Sequence, residues 1–486
     1  MPIHSALFRG AVYALIAMTL AVSAQAEEIP PSLDTVAPAT LLDVFKDARA
    51  FVEEAQAPPA DAPRLGLTEV VTRAIENSGR LKAAEEAVVQ REAQQGQARA
   101  ARKPQVMSQV QLAYLGGLRQ EVNLTPVQEL LVTGTSLDLG EALAAGNVSV
   151  QQVIYAGGQI AAGIRATENL TESERLQQEA TMTEVALEAT RAYYETLLAK
   201  ALVRVASESA DAFERHLGDA NKALEVGAVS RFEVLRAQTE LQARRADLAR
   251  ATTGLDVTTL NIRRLTGIEG EGPLYLQPDW FTAALPSEDL DALLNEALDK
   301  RPELAALDKA IAAAGEQVTV RRAESRPQIA AIGQYQHVEG GPEFAPSGFV
   351  ASLGMRWNWY TGGAGKQKVL EAQSQVRQLE HQRHELERAV ALDVRQAYLR
   401  SREAGERILM QFATVQLAAE GQELAELRFQ QGVGTQTETL DADLALVQAR
   451  TGLVQALGDY FIAQADLAKA SGRGWQPVNV GAPEGQ

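Results

Sequence analysis

Cysteine is absent from this sequence, which excludes disulfides and an N-terminal lipid anchor carried on cysteine. Basic surface is scarce: 46 Lys and Arg stand against 63 Asp and Glu, a formal charge of −17. Phosphate binding needs cationic surface, so no nucleic acid is expected as a partner. The five histidines are too scattered for a triad, and there is no G-x-S-x-G, P-loop or H-E-x-x-H motif. No catalytic residues and no cofactors are expected, and the chain does not read as an enzyme. Beyond residue 26 no run of 18 or more apolar residues occurs, the length a membrane-spanning helix requires. An exported, helix-rich chain of this kind is either periplasmic or held in a membrane by β-strands.

Export is written at the start of the chain. Arg9 supplies a thin positive region, Ala11 to Val22 an apolar one, and Ala24-Gln25-Ala26 an A-x-A cleavage site. Residues 1–26 are therefore expected to be a cleavable signal peptide. The apolar run is short for a retained anchor. Residues 27–64 hold six prolines, among them Pro30-Pro31 and Pro58-Pro59, and read as an extended arm.

Most of the chain beyond this arm is present twice. Tyr155-Ala156-Gly157-Gly158 returns as Tyr360-Thr361-Gly362-Gly363, Ala192-Tyr193 as Ala397-Tyr398, Gly227 as Gly432, and Thr266-Gly267 as Ser471-Gly472, all 205 positions apart. Upstream, Leu81 matches Leu304 and Pro104-Gln105 matches Pro327-Gln328 at an offset of 223. The two offsets differ by 18, one insertion between Pro104 and Tyr155, expected in a hairpin loop around 118–146. The copies are too long for a solenoid repeat. They define a first repeat at 65–267, a linker at 268–289, a second repeat at 290–472 and a tail at 473–486.

Each repeat changes period in the same order. A helix capped by Thr68 is expected to run to about Arg102, and its counterpart from Asp289 to Ser325, with Pro302 breaking the second. Next in each repeat come two segments with period-2 alternation, at about 105–115 and 147–155, then 328–338 and 349–360. Their lengths suit tilted barrel strands, and Trp357 and Trp359 suit an interfacial belt. Taken alone, the alternation also fits a hairpin packed on a soluble core. From Gly158 to Val226 there is no proline, which predicts a helix of about 100 Å at 1.5 Å per residue. Gly363–Gln431 is its copy. Val185, Ala189, Ala192, Thr196, Ala199 and Val203 step by 4 and 3, as do Val390, Val394, Ala397, Ser401, Ala404 and Ile408, the spacing of coiled-coil packing. Shorter helices return over Ser230–Leu265 and Thr435–Ala470.

A strand hairpin between long coiled coils, made twice in an exported cysteine-free chain, resembles the TolC family of outer-membrane efflux proteins. The resemblance covers about 65–473 and is carried by ALDKRPELAAL at 297–307, the two YxGG junctions, and VGAVSRFEVLRAQTEL at 226–241. It implies a mainly α fold with β: a long antiparallel coiled-coil barrel in the periplasm, and a transmembrane β-barrel shared by a homotrimer with four strands per chain. It also implies an outer-membrane exit duct of a tripartite efflux or type I secretion system. Its partners would be a periplasmic adaptor, an inner-membrane RND or ABC transporter, and outer-membrane lipid. Open strand edges cannot face lipid, so cyclic assembly is expected on physical grounds too. The alternative is a periplasmic coiled-coil adaptor, which has a helical hairpin but lacks strand hairpins entering it.

By the same resemblance, Glu438 and Asp441 fall where two acidic residues ring the closed entrance. They lie three apart on one helix face, and symmetry would gather six carboxylates there, attracting cations. Against this stands a local reading: Thr435 to Glu438 is a capping box, as is Ser230 to Glu233. The tyrosine and arginine that lock the family's closed tip fall at Phe429 and Gly434, and Glu233 matches an acidic lock partner whose mates are missing. The turns Gly227-Ala228-Val229-Ser230 and Gly432-Val433-Gly434-Thr435 match the adaptor-contacting tip; their glycines also serve as helix stops. Exposed Val229 and Val433 are expected to ask for a partner. His381 and His384, three apart, form an incomplete metal pair without a third ligand. A solvated helix face is the expected reading there, and no metal site is assigned.

Overall fold

A computed structural model describes residues 64–114, 142–270, 274–277, 289–339 and 347–474. The signal segment, the proline-rich arm, most of the expected first-hairpin loop, most of the linker and the end of the tail lie outside these residues. In chain order the elements are β1 (Arg64–Leu65), α1 (Leu67–Asn77), α2 (Gly79–Ala100), β2 (Gln105–Tyr114), β3 (Ala142–Tyr155), α3 (Gln159–Glu225) and α4 (Arg231–Thr266). The second half adds β4 (Tyr275–Leu276), α5 (Leu290–Lys300), α6 (Pro302–Ala323), β5 (Gln328–Glu339), β6 (Gly348–Arg356), α7 (Ala364–Gln430) and α8 (Gln436–Ala470).

The helix expected from Thr68 to Arg102 is two helices. Thr68 lies inside α1, and the break falls at Ser78, which is extended at φ −65° and ψ 113° and accepts a hydrogen bond from Leu81 N. Arg301 is its equivalent, extended in the same way ahead of Pro302. The break recurs because one copy uses a serine cap and the other a proline at the first helical turn. Only the proline stands out in a sequence.

The described chain packs as two compact units. One takes the residues up to Asn77, Val185–Leu294 and the residues from Asp393; the other takes Ser78–Glu184 and Asn295–Leu392. In the first unit, Tyr193, Tyr194, Ile262, Leu457, Tyr460 and Phe461 share one core. Tyr194 stacks on Phe461 with ring centroids 5.0 Å apart, and the Tyr193 hydroxyl donates to the Gln277 carbonyl. Burial pushes the Tyr460 phenol up to about 12. β1 and β4 pair in parallel beside this core, Leu65 opposite Leu276.

All six expected seam positions of α7 are buried, from Val390 to Ile408. In α3 the first four are buried, but Ala199 and Val203 are half-buried, and Ala201 and Val205 take their place. An unsupercoiled helix drifts about 20° per heptad, which moves its buried stripe in this way.

The second unit carries a four-stranded antiparallel sheet in the order β2-β3-β5-β6. Both hairpins obey the duplication: Gln105 pairs with Gln151, and their equivalents Gln328 and Arg356 pair with each other. β6 ends at Arg356, not at Tyr360, because β5 begins at Gln328 and offers it no partner further on. Trp357 lies beyond the ladder and donates its indole N–H to Ser325 O at 3.1 Å.

Candidate gate and membrane surface

The two helical turns are built alike. Gly227 and Gly432 adopt φ of 75° and 74°. Around them Ala228 N bonds to Ala223 O and Gly227 N to Leu224 O, while Val433 N bonds to Arg428 O and Gly432 N to Phe429 O. This double bond pattern closes a helix in the Schellman manner, with the glycine in the left-handed conformation. Gly434 has a separate requirement: a Cβ there would stand 3.0 Å from Arg428 Cβ and from Phe429 N.

The chain then enters α4 and α8. Ser230 accepts from Glu233 N at 3.4 Å, and Glu233 Oε2 accepts from Ser230 N at 2.7 Å, a complete capping box. Thr435 accepts from Glu438 N at 3.2 Å, but the Glu438 carboxylate does not return to the cap. It lies instead 3.7 Å from Arg428 Nη2, so the expected second capping box is half formed. Asp441 Oδ1 lies 3.8 Å from Arg236 Nη2, and Arg236 Nη1 donates to Thr437 Oγ1 at 3.0 Å. Glu438 and Asp441 are both exposed. Each thus faces an arginine of its own chain, and none of these contacts involves Phe429 or Glu233. Val433 is exposed as expected, whereas Val229 is half-buried and Val226 takes the exposed place on the first turn.

Sequence reasoning missed Arg236, Arg428 and a third pair deeper along α8. There the buried carboxylate of Asp443 meets the half-buried His216 ring, beside the cluster of Phe213, Leu241 and Leu440. The available signal was the repeat itself, since Arg236 is the positional equivalent of Asp441. His384 Nδ1 lies 3.0 Å from Glu387 Oε2. Among the described residues no group of three or more His, Asp or Glu side chains is placed to hold a metal ion.

No helix among the described residues is long and apolar enough to cross a membrane. The sheet has the opposite character. Pairing places Val106, Val110, Val148, Val150, Leu353 and Met355 on one face, because successive side chains of a strand alternate. The other face carries Gln105, Gln109, Asn147, Ser149, Gln334 and Ser352. Val110 and Leu353 are more than 70% exposed in the single chain, a contiguous apolar surface that water does not favour. Strands of 9–14 residues suit the 9–11 residues a tilted strand needs to cross a bilayer.

A sheet apolar on one face and polar on the other, inserted between long helical hairpins, defines the class: strand-anchored, coiled-coil membrane proteins. The chain matches the model of the family described as "Outer membrane efflux protein" over residues 70–268 and 293–473, and it belongs to that family. It is 24% identical over 304 residues to outer membrane protein TolC of Vibrio cholerae, covering 61% of this chain and 69% of that one. Protein CyaE of Bordetella pertussis is 26% identical over 250 residues, half of this chain, and the match spans 53% of CyaE. A crystal structure of CusC, solved in a study of folding and transmembrane channel formation, superposes with a TM-score of 0.72 at 16% identity over 87% of this chain and 96% of that chain.

Proposed function

We propose that the protein is an outer-membrane exit duct: a passive, non-enzymatic conduit through which an inner-membrane pump expels its cargo by way of a periplasmic adaptor. The observation that carries this is the sheet. It is apolar on one face, polar on the other, and ends in two edges, β2 and β6, that pair with nothing among the described residues. Lipid cannot satisfy unpaired backbone groups, so the edges must be closed by further copies. Three copies give a barrel of twelve strands, its Gln-rich face lining an aqueous pore. Residues 1–26 direct export and are removed. The turns at Gly227–Ser230 and Gly432–Thr435 meet the adaptor, and Glu438 and Asp441 line the narrowest point of the entrance. A periplasmic adaptor is disfavoured because it has no use for two strand hairpins in one sheet.

The test is fractionation followed by mass measurement. The protein should remain in the outer membrane through high-salt extraction and leave detergent micelles as a trimer. A monodisperse monomer that keeps its β-signal and inserts into bilayers would sink the architecture.

A further inference from the structure

The duplication predicts a contact that a single chain does not contain. Inside the chain, β3 of the first repeat meets β5 of the second, with Gln151 opposite Ile332, Val150 opposite Gly333 and, past a bulge, Tyr155 opposite Ile329. The last residues of β3 have only this neighbour in the ladder, since β2 pairs no further than Gln151. At the end of the ladder, Arg326 Nη1 donates to Gly157 O at 2.9 Å. A Cβ on Gly157 would stand 2.7 Å from Arg326 Cβ.

Every part of this arrangement has an equivalent at the two open edges. β6 is the copy of β3, β2 the copy of β5, Gly362 the copy of Gly157, and Lys103 the copy of Arg326. The local geometry is copied as well. Lys103 N bonds to Ala100 O as Arg326 N does to Ala323 O, and Gln367 N bonds to Gly363 O as Ala162 N does to Gly158 O. Even a substituted contact is kept: Gln152 donates its side-chain amide to Arg102 O, and at the equivalent place Trp357 donates its indole to Ser325 O. What differs is occupancy. Gly362 has the same backbone at φ 60°, but no atom lies within 4 Å of where its Cβ would be. Its carbonyl receives no hydrogen bond among the described residues.

We propose that β6 of one copy pairs antiparallel with β2 of the next in the register that the duplication dictates, Leu353 opposite Leu112, Met355 opposite Val110 and Tyr360 opposite Val106. Lys103 of that next copy donates to the Gly362 carbonyl. The contact extends β6 from Arg356 to Tyr360, because the neighbour supplies the ladder that β5 lacks. It gives Lys103, exposed in the single chain, a defined partner. The inference rests on the closed-barrel reading, and the experiment separates the two.

The chain has no cysteine, so paired cysteines report only their own neighbourhood, in a compartment that permits disulfides. Directly opposite residues stand about 4.5–5.5 Å apart at Cα, within disulfide range, and diagonal ones about 7–8 Å, beyond it. Leu112→Cys with Leu353→Cys should give covalent trimers on a non-reducing gel. Val110→Cys with Leu353→Cys should give several-fold less. Preferential linkage through Val110, or neither linkage in a protein that is trimeric by native mass, overturns the register while leaving the barrel standing. Absence of any trimer overturns the barrel, and the contact with it. In a second arm, Lys103→Met should lower the temperature at which the trimer dissociates and Lys103→Arg should not. Equal heat resistance of Lys103→Met and the unaltered protein overturns the lysine contact.

Discussion

Arg236 and Asp441 stand at equivalent positions of the two repeats, and their side chains meet across α4 and α8 at 3.8 Å. Duplication thus placed opposite charges on matching faces, so the two hairpins are tied at the tip by the residues that diverged. Arg428 and Glu438 add a second tie between α7 and α8. Neither contact involves Phe429 or Gly434, the positions that match the family's tyrosine and arginine lock.

We predict that Arg236→Ala loosens the closed entrance. Exposed ion pairs contribute about 0.2–1 kcal/mol, so the ratio of open to closed channels should rise by a factor of roughly 1.5 to 5 per protomer by the same estimate. Single-channel recordings of reconstituted protein measure this, and an unchanged open probability would remove the pair from the gate.

Charge at the entrance is tested by replacing Glu438 with Gln and Asp441 with Asn. The cation preference of the pore should fall, and block by multivalent cations should weaken. Because the Glu438 side chain does not complete its capping box, Glu438→Gln should cost only the few tenths of a kcal/mol that a long, exposed ion pair contributes. Glu233→Ala removes a formed box and should cost about 1 kcal/mol. Equal destabilisation by both would return Glu438 to a capping role.

Two glycines in long helices should respond oppositely to alanine. At Gly458 an added Cβ would lie 1.9 Å from Leu198 Cδ1, so Gly458→Ala should destabilise by about 1–3 kcal/mol, partly relieved by Leu198→Ala. At Gly218 nothing lies within 4 Å, so Gly218→Ala should stabilise by about 0.5–1 kcal/mol. Thermal melts decide both, and a stabilising Gly458→Ala would contradict the packing of α8 on α3.

Acid sensitivity should trace in part to Glu316. Arg165 donates two hydrogen bonds to its carboxylate, each 2.8 Å. These bonds and the guanidinium charge hold the carboxyl below its ordinary value of 4.5. A depressed carboxyl stabilises fully above its unfolded value, and that contribution is lost as pH falls through the folded one. Glu316→Gln should therefore lower the melting temperature more at pH 7 than at pH 3. An equal loss at both pH values would show that packing, not charge, matters there.

What depends on neighbours in the chain was legible in the sequence. The two rods, their glycine stops, the Ser230 cap and the two hairpins all arise from period, proline-free length and turn chemistry within a few residues. The repeat also made Arg236 and Asp441 equivalent without showing that they touch. Tertiary structure alone decided which of two equal residues is buried. Tyr193 is sealed in a core by Tyr194, Phe461 and the Gln277 carbonyl, while its copy Tyr398 is only half-buried. Likewise Gly157 is covered and Gly362 is open. Local sequence sets conformation through the chain's own dihedrals and hydrogen bonds, and these are the same in both copies. Burial and pairing depend on what arrives from elsewhere: the second repeat packs against the first, and the outer edges of the sheet have no such neighbour within a single chain.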